Sequence, residues 1–396
     1  MKSFTIDAQP DTINQLVQHL DQDENSFFFA SPNNQIKIFA FGCQKSWSNW
    51  QDIDNFHYPL IVGGQDFDTD RSITPSQMSS YWFAPQISIT WENDQLKVKS
   101  IDAINWGSWL ASVHTNTEIK NQILSVSDES DWLERANQLI DILKNDQELK
   151  KVVFGRQRLI ALSEPMTIRQ LWTRLIEQEQ SYRIVLKQKQ HYFVSLTPER
   201  LLSVEDGQVQ TAALAGTAAR NDDYQDEQKI ADRLLKSSKD RQEHDYVTQH
   251  IVNRLAPLVV QCHYSTTPRI LFTSQLLHLY TPIQATILPR VNFLTLAQAL
   301  HPTPALAGLP QQSALAYLRV HEREPRGLFG GALGYFTNKN QGELAVGIRS
   351  MVISGRQIQL FAGAGILAQS QAQSEWQETQ AKFLTMESMI HEVISK

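Results

Sequence analysis

Apolar positions in the first third of the chain come in short alternating or continuous runs. Phe27 to Ala30, Ile36 to Phe41, Gln86 to Trp91 and Gln95 to Lys99 predict strands, with turn residues between them. A helix is predicted from near Ser130, with Asp131 and Glu134 in its first turn and Leu133, Leu139, Ile140 and Leu143 on its apolar face. Lys151 to Arg156 reads as a strand. Thr167 to Gln180 is amphipathic, with Leu171, Leu175 and Ile176 on one side. Tyr182 to Leu186 and His191 to Leu196 predict a hairpin, and Leu201 to Val204 with Val209 to Leu214 a second strand pair. One long charged helix is predicted from about Asp223 to Leu258, and a last one from about Gln371 to Ile394. Many adjacent strands with few helical crossovers predict an α+β fold built on a mixed, largely antiparallel architecture. The polar, turn-like stretch 114–130 is the weakest seam.

Composition narrows the classes. The 396 residues carry 36 Lys+Arg against 42 Asp+Glu, a formal charge of −6, which argues against a dedicated nucleic-acid binder. No uncharged apolar run approaches the roughly 20 residues that span a bilayer. The first ten residues hold no apolar core of a secretory signal. Cys43 and Cys262 make neither a disulfide framework nor a four-cysteine zinc site. A globular, cytoplasmic protein is expected. Trp47, Trp50, Trp82, Trp91, Trp106, Trp109 and Trp132 all precede residue 150, whereas the glycine-rich segments fall mostly after residue 210. The early region is therefore expected to pack and the later region to act.

Four local patterns carry candidate chemistry. Gly363-Ala-Gly-Ile-Leu-Ala368 fits G-x-G-x-x-A, but too few residues follow it for the second strand and acidic end of a dinucleotide unit. It reads instead as a glycine turn, either an anion cradle or a plain chain reversal. His321-Glu-Arg-Glu-Pro325 starts like a zinc helix, but Pro325 stands where the second histidine should be. On the last helix Glu375, Glu378 and Lys382 share a face, as a site or as a surface ion pair. Glu243 heads the row Val247, Ile251, Leu255, which puts a carboxylate at a cavity edge or on a solvated helix face. One carboxylate from each of two helices would suit Mg²⁺, which keeps waters and takes one or two protein carboxylates.

Taken together, these segments resemble the chorismate-utilising enzymes, and among them isochorismate synthase. The resemblance runs through Lys151-Val-Val-Phe-Gly-Arg156, Leu196-Thr-Pro-Glu-Arg200, Ala213-Leu-Ala-Gly-Thr217, Leu235 to His244 and His301-Pro-Thr-Pro-Ala305. It continues through Arg326-Gly-Leu-Phe-Gly-Gly331, Ala345 to Ser350, Phe361 to Ile366 and Glu375-Trp-Gln-Glu378. It covers about residues 130–391. It implies a single large chorismate-binding domain over 1–396, with a divergent N-terminal region at residues 1–125 and a motif-bearing catalytic region at residues 126–396. The implied fold is two stacked, mostly antiparallel sheets flanked by helices, with a cleft between lobes.

The implied reaction is Mg²⁺-dependent: water adds at C2 of chorismate, the double bonds shift and the C4 hydroxyl leaves. Lys151 matches the general base, and Lys150 should face the other side of the strand. Glu199 matches the general acid, which calls for a raised pKa, and Thr197 stands where the family usually has serine. Glu243 and Glu378 match the metal ligands, with Glu375 behind them. Leu214, Ala215, Gly216, Thr217, His301, Phe329, Arg349, Gly363, Ala364, Gly365 and Lys382 match the substrate-binding positions. Arg349 with the glycine segment is expected on the enolpyruvyl carboxylate, and Mg²⁺ on the ring carboxylate. The usual Glu-Pro-Phe-Asp-Arg-Gly is Glu322-Arg-Glu-Pro-Arg-Gly327 here, so the loop before Arg326 is expected to differ in shape.

Ala215 stands where amine-transferring relatives carry a lysine, and Phe329 where a salicylate synthase usually has tyrosine. No glutamine amidotransferase subunit, nucleic acid or membrane partner is implied, and a monomer is expected. Isochorismate synthase for catecholate siderophores is the favoured reading. The alternatives are a menaquinone-pathway enzyme, a salicylate synthase, and a non-catalytic chorismate-binding regulator.

Overall fold

The computed structural model describes residues 2–53, 57–74, 77–114, 120–221, 223–273 and 276–394. Among these, the strands form a twelve-stranded and a ten-stranded sheet, paired antiparallel and flanked by helices. This is an α+β architecture. Asn25–Ala30 pairs with Tyr182–Gln188, so early and late strands share the first sheet. Ile61–Gln65 pairs with Ala332–Phe336 in the second. The first hundred residues are thus woven into both sheets.

The run Phe27-Phe28-Phe29-Ala30 shows how the layers form. Successive side chains alternate between faces. Phe27 and Phe29 enter the core between the sheets with Val62, Phe83, Ile184 and Leu333. Phe28 turns outward to Phe39 and Trp172, beneath the helices Pro10–Gln22, Ile168–Ile176 and Ala372–Ile394. Each fully buried phenylalanine contributes about 1.5–3 kcal/mol, and a strand covered on both faces reads as a continuous apolar run. A third core lies under Trp132–Asn145, Ser238–Leu255, Phe293–Leu300 and Gln311–His321.

Three expectations are corrected. The seam at 114–130 is not a break: Ile123–Asp128 is a strand paired with Arg158–Leu162, while 115–119 lies outside the described residues. The single helix 223–258 is two, Tyr224–Lys236 and Ser238–Leu255, followed by a short 3₁₀ turn. Ser237 is extended, and its hydroxyl accepts from Asp240 N, so it ends one helix and caps the next. The glycine segment 363–365 is not a turn; it lies inside the strand Gln357–Ile366. Pro10–Gln22 and Trp106–Leu110 are additional helices. Among the described residues no helix is long and apolar enough to cross a membrane.

Candidate active site

A cleft of about 680 Å³, open mouth included, collects side chains from both sheets and two helices. One wall is the strand Gln208–Ala219, which pairs with Leu276–Ile287. Gly216 breaks the register there at a φ of 78°, the left-handed bulge that glycine adopts without penalty. The bulge puts Leu214, Ala215, Gly216 and Thr217 on the cleft wall together. Behind it His244 Nδ1 donates to Ala215 O at 3.2 Å, and its Nε2 accepts from Thr281 Oγ1 at 2.8 Å.

The opposite wall is Lys151–Leu162 with Gln357–Ile366 beside it. Lys151 is fully buried and Lys150 is exposed, as strand alternation requires. Lys151 Nζ lies 2.9 Å from Glu243 Oε1 as an ion pair. A Cβ at Gly365 would meet Glu243 Oε1 at 2.7 Å and Lys151 Cε at 3.0 Å, so the glycine is the space in which this pair sits.

The glycines also leave backbone donors free. Val153 N donates to Ala307 O and Gly155 N to Glu322, away from the neighbouring strand. Val153 faces Gly365 and Gly155 faces Gly363, so these are the non-hydrogen-bonded pairs of the ladder. The N–H groups of both glycines therefore point to the cleft edge, beyond the end of Ser350–Ser354. Lys382 Nζ donates to Gly363 O on that edge at 2.7 Å and to Glu378 Oε1 at 2.6 Å. Ala364 points the other way, into the core, which corrects its expected place among substrate contacts.

Glu199 is buried in the cleft wall, and burial pushes its carboxyl from 4.5 up to about 7 against the opposing charges of Arg349, Lys151 and Lys382. It can therefore hold a proton near neutrality. Arg349 lines the same cleft at a left-handed φ of 47°, a conformation an arginine adopts only under constraint. Burial lowers its guanidinium to about 10, opposed by Glu378 and Glu199, so it stays cationic at neutral pH. Phe329 closes the apolar side, stacked on Phe361 at 5.2 Å.

Four carboxylates gather at one end. Burial pushes Glu243 up, but Lys151, Lys239 and Lys382 more than offset it and hold the group below its usual range. Burial and then Glu378 push Glu375 up against its partner Lys239, 2.7 Å away. Burial raises Asp240 too, with Glu243 and Glu378 adding to the effect. Crowded carboxylates of this kind fit a hard divalent cation. Among the described residues no three donors converge as a metal site, and Glu243, Glu378 and Glu375 are each paired with a lysine, Lys151, Lys382 and Lys239. Glu375 stands behind Glu378, off the cleft surface and tied to Lys239.

His301 is not on the cleft wall. Its Nε2 donates to Asp66 O at 3.0 Å and its ring meets Trp50 edge-on, so it packs against those residues instead. Sequence reasoning missed His278, which does line the cleft. Its Nδ1 meets Thr217 Oγ1 at 3.0 Å, and its buried Nε2 has no partner among the described residues. Burial, with Arg349 and Lys382, holds it well below its usual pKa, hence neutral. A lone histidine in the apolar run Leu276-Leu-His-Leu279 carries no local signal for this role.

Comparison with known proteins identifies the family. The chain matches the family described as "Chorismate binding enzyme" over residues 2–391. It is 34% identical over 264 residues to isochorismate synthase MenF of Bacillus subtilis, covering 66% of this chain and 56% of that protein. It is 32% identical over 383 residues to isochorismate synthase MenF of Haemophilus influenzae, covering 92% and 86%. The matched stretch spans about half the length of several curated relatives, as the 56% above and 49% of isochorismate synthase EntC of Escherichia coli K12 illustrate. The structure of MenF, the menaquinone-specific isochorismate synthase from Escherichia coli, superposes with a TM-score of 0.82 over 98% of this chain and 94% of that one. At 23% identity that likeness is one of fold.

Proposed function

The chain belongs to the chorismate-binding enzyme family, and from that premise we propose that its cleft isomerises chorismate to isochorismate. What supports this is a pair of enclosed titratable groups, a lysine and a carboxyl, at one cavity. Lys151 is enclosed beside Glu243, and Glu199 is held near neutrality on the wall lined by Arg349. Lys151 takes a proton from the water that attacks C2. The ring double bond shifts, and the C4 oxygen leaves with the proton that Glu199 supplies. One water enters and one departs, so no oxidant or second substrate is needed.

Arg349 and the N–H groups of Gly363 and Gly365 form a carboxylate cradle, with Lys382 fixing the Gly363 edge. Glu243 and Glu378 would hold Mg²⁺, with Glu375 supporting Glu378. The ion would neutralise the substrate's ring carboxylate. Phe329 offers no hydroxyl to assist loss of the enolpyruvyl group, and Ala215 offers no amine to attack the ring. Both favour a reaction that stops at isochorismate. Because both sheets draw on both ends of the chain, we read 1–396 as one chorismate-binding domain, acting in the cytoplasm without an amidotransferase partner.

The likeness of His301-Pro-Thr-Pro-Ala-Leu306 and Ser238 to His244 to siderophore-type enzymes favours supply of a catecholate siderophore. The same cleft would serve menaquinone synthesis. The test is chromatography of the products from chorismate with Mg²⁺, with and without ammonium, coupled to a pyruvate assay. Isochorismate in equilibrium with chorismate is the expected result. Salicylate with equimolar pyruvate, or an aminated product, would overturn the assignment.

A further inference from the structure

We infer that Arg326 is a positioning residue that sets the width of the cleft, with Glu322 as the group that aims it. This rests on the chorismate reading above but concerns residues outside the proton and carboxylate machinery.

The Arg326 guanidinium is buried at the cleft wall and makes four hydrogen bonds. Its Nε donates to Glu322 Oε2 at 2.9 Å and its Nη2 to Glu322 Oε1 at 2.5 Å, a two-pronged pair four residues apart. The same Nη2 donates to Val153 O at 2.6 Å, two residues along the strand from Lys151. Nη1 donates to Leu306 O at 2.8 Å, in the loop whose Ala305 and Leu306 line the cleft. The flat guanidinium also lies 4.2 Å from the Phe67 ring centroid and 5.5 Å from that of Phe329. Glu322 has a duty beyond the pair, since its Oε1 accepts from Gly155 N at 2.6 Å.

One planar cation thus ties three walls to a single point: the strand bearing Lys151, the Ala305–Leu306 loop and the Phe329–Phe361 stack. Lysine could not do this, because a single ammonium lacks the fork that reaches Glu322 and two carbonyls in fixed directions. The changed sequence before Arg326 leaves this pair in place. The spacing from Glu322 to Arg326 is kept, and the intervening Arg323 and Glu324 are exposed. A loosened pair leaves a buried carboxylate to find a new partner, and the walls it held shift with it. A displacement of about 1 Å in such a frame can cost on the order of 100-fold in rate.

Gly155 provides an independent handle. A Cβ there would meet Glu322 Oε1 at 2.6 Å, so Gly155→Ala should push Glu322 and, through it, Arg326 without touching the cleft surface. The experiment compares wild type, Arg326→Lys, Arg326→Ala and Gly155→Ala for turnover of chorismate, chorismate affinity by titration calorimetry, and near-UV circular dichroism. Turnover by the wild type tests the assigned reaction separately, so its absence would count against that reading and leave the calorimetric arm to report on the cleft.

We expect the folded variants to lose about 10- to 100-fold in kcat with affinity changed only a few-fold. Millimolar guanidinium should restore part of the rate of Arg326→Ala, and methylammonium should not. Wild-type kcat in folded Arg326→Lys or Gly155→Ala would overturn the proposal. So would failure of all three to fold, which would make the pair an element of stability alone.

Discussion

Glu199→Gln should make the protein more stable and almost inactive, and the stability gain should depend on pH. Burial raises the Glu199 carboxyl from 4.5 to about 7. At about 1.4 kcal/mol for each tenfold change in proton affinity, the ionised form costs the fold roughly 3 kcal/mol. The unfolded chain ionises this group near 4.5 and the folded chain near 7. Between those values the folded state binds the extra proton, so wild-type stability falls as pH rises through that window and stays lower above it. Glutamine matches the shape of the protonated acid and never ionises.

The two proteins should therefore be about equally stable near pH 4.5, and the variant roughly 3 kcal/mol more stable at pH 8. Urea titrations followed by tryptophan fluorescence at pH 5, 6, 7 and 8 read this directly. Turnover of chorismate should fall by about 10²–10⁴-fold in the same variant. In the wild type, turnover should decline about tenfold per pH unit above 7 as the acid is lost. A stability difference that is flat with pH, or a variant less stable than wild type at pH 8, would refute the raised carboxyl and with it the acid role of Glu199.

Other perturbations probe the rest of the cleft. Lys151→Ala should lower turnover by about 10²–10⁴-fold, whereas exposed Lys150→Ala should leave it near wild type; the reverse pattern in steady-state assays would sink the base assignment. Glu243→Ala and Glu378→Ala should each abolish turnover, and chelation by excess EDTA should do the same to the wild type. Full activity after stringent chelation would exclude the two-carboxylate metal site. Gly365→Ala should fold, since Glu243 and Lys151 have flexible ends, yet lose most activity because its Cβ occupies their meeting point. A crystal structure of this variant with the Lys151–Glu243 contact unchanged at 2.9 Å would contradict that reasoning.

Much of this protein was legible along the chain because its signals are local. Alternation over Tyr182 to Leu196 defined a hairpin, and the structure pairs Tyr182–Gln188 with His191–Thr197. The same alternation separates buried Lys151 from exposed Lys150, and helical spacing puts Glu378 and Lys382 within reach of each other. The ordered motifs implied the family that the whole-chain match then showed. What failed was also local in form. The mostly polar stretch Ser125-Val-Ser-Asp128 reads as a loop, but it can be a strand once Arg158–Ala161 offers it hydrogen bonds. Gly363-Ala-Gly365 reads as a turn, but two glycines can also be flat strand positions emptied of side chains so that Glu243 and Lys151 can enter.

Only the tertiary structure decided who meets whom at the site. Glu199 lies within the chain segment Thr197-Pro-Glu-Arg200, which says nothing of burial, and its acidity is set by an enclosure built from distant elements. His278 belongs to an apolar strand and faces the cleft, beside the Gly216 bulge, because alternation sends Leu277 and Leu279 to a core cluster on the other face. His301 carries a motif and still packs against Asp66 and Trp50. Glu322 and Arg326 sit in a segment that departs from the usual pattern, yet they tie together walls that come from residues 153, 306 and 329. Periodicity and caps are properties of neighbours in sequence, so a chain can declare them by itself. Burial, register and charge proximity are properties of neighbours in space, and they exist only after the sheets have stacked.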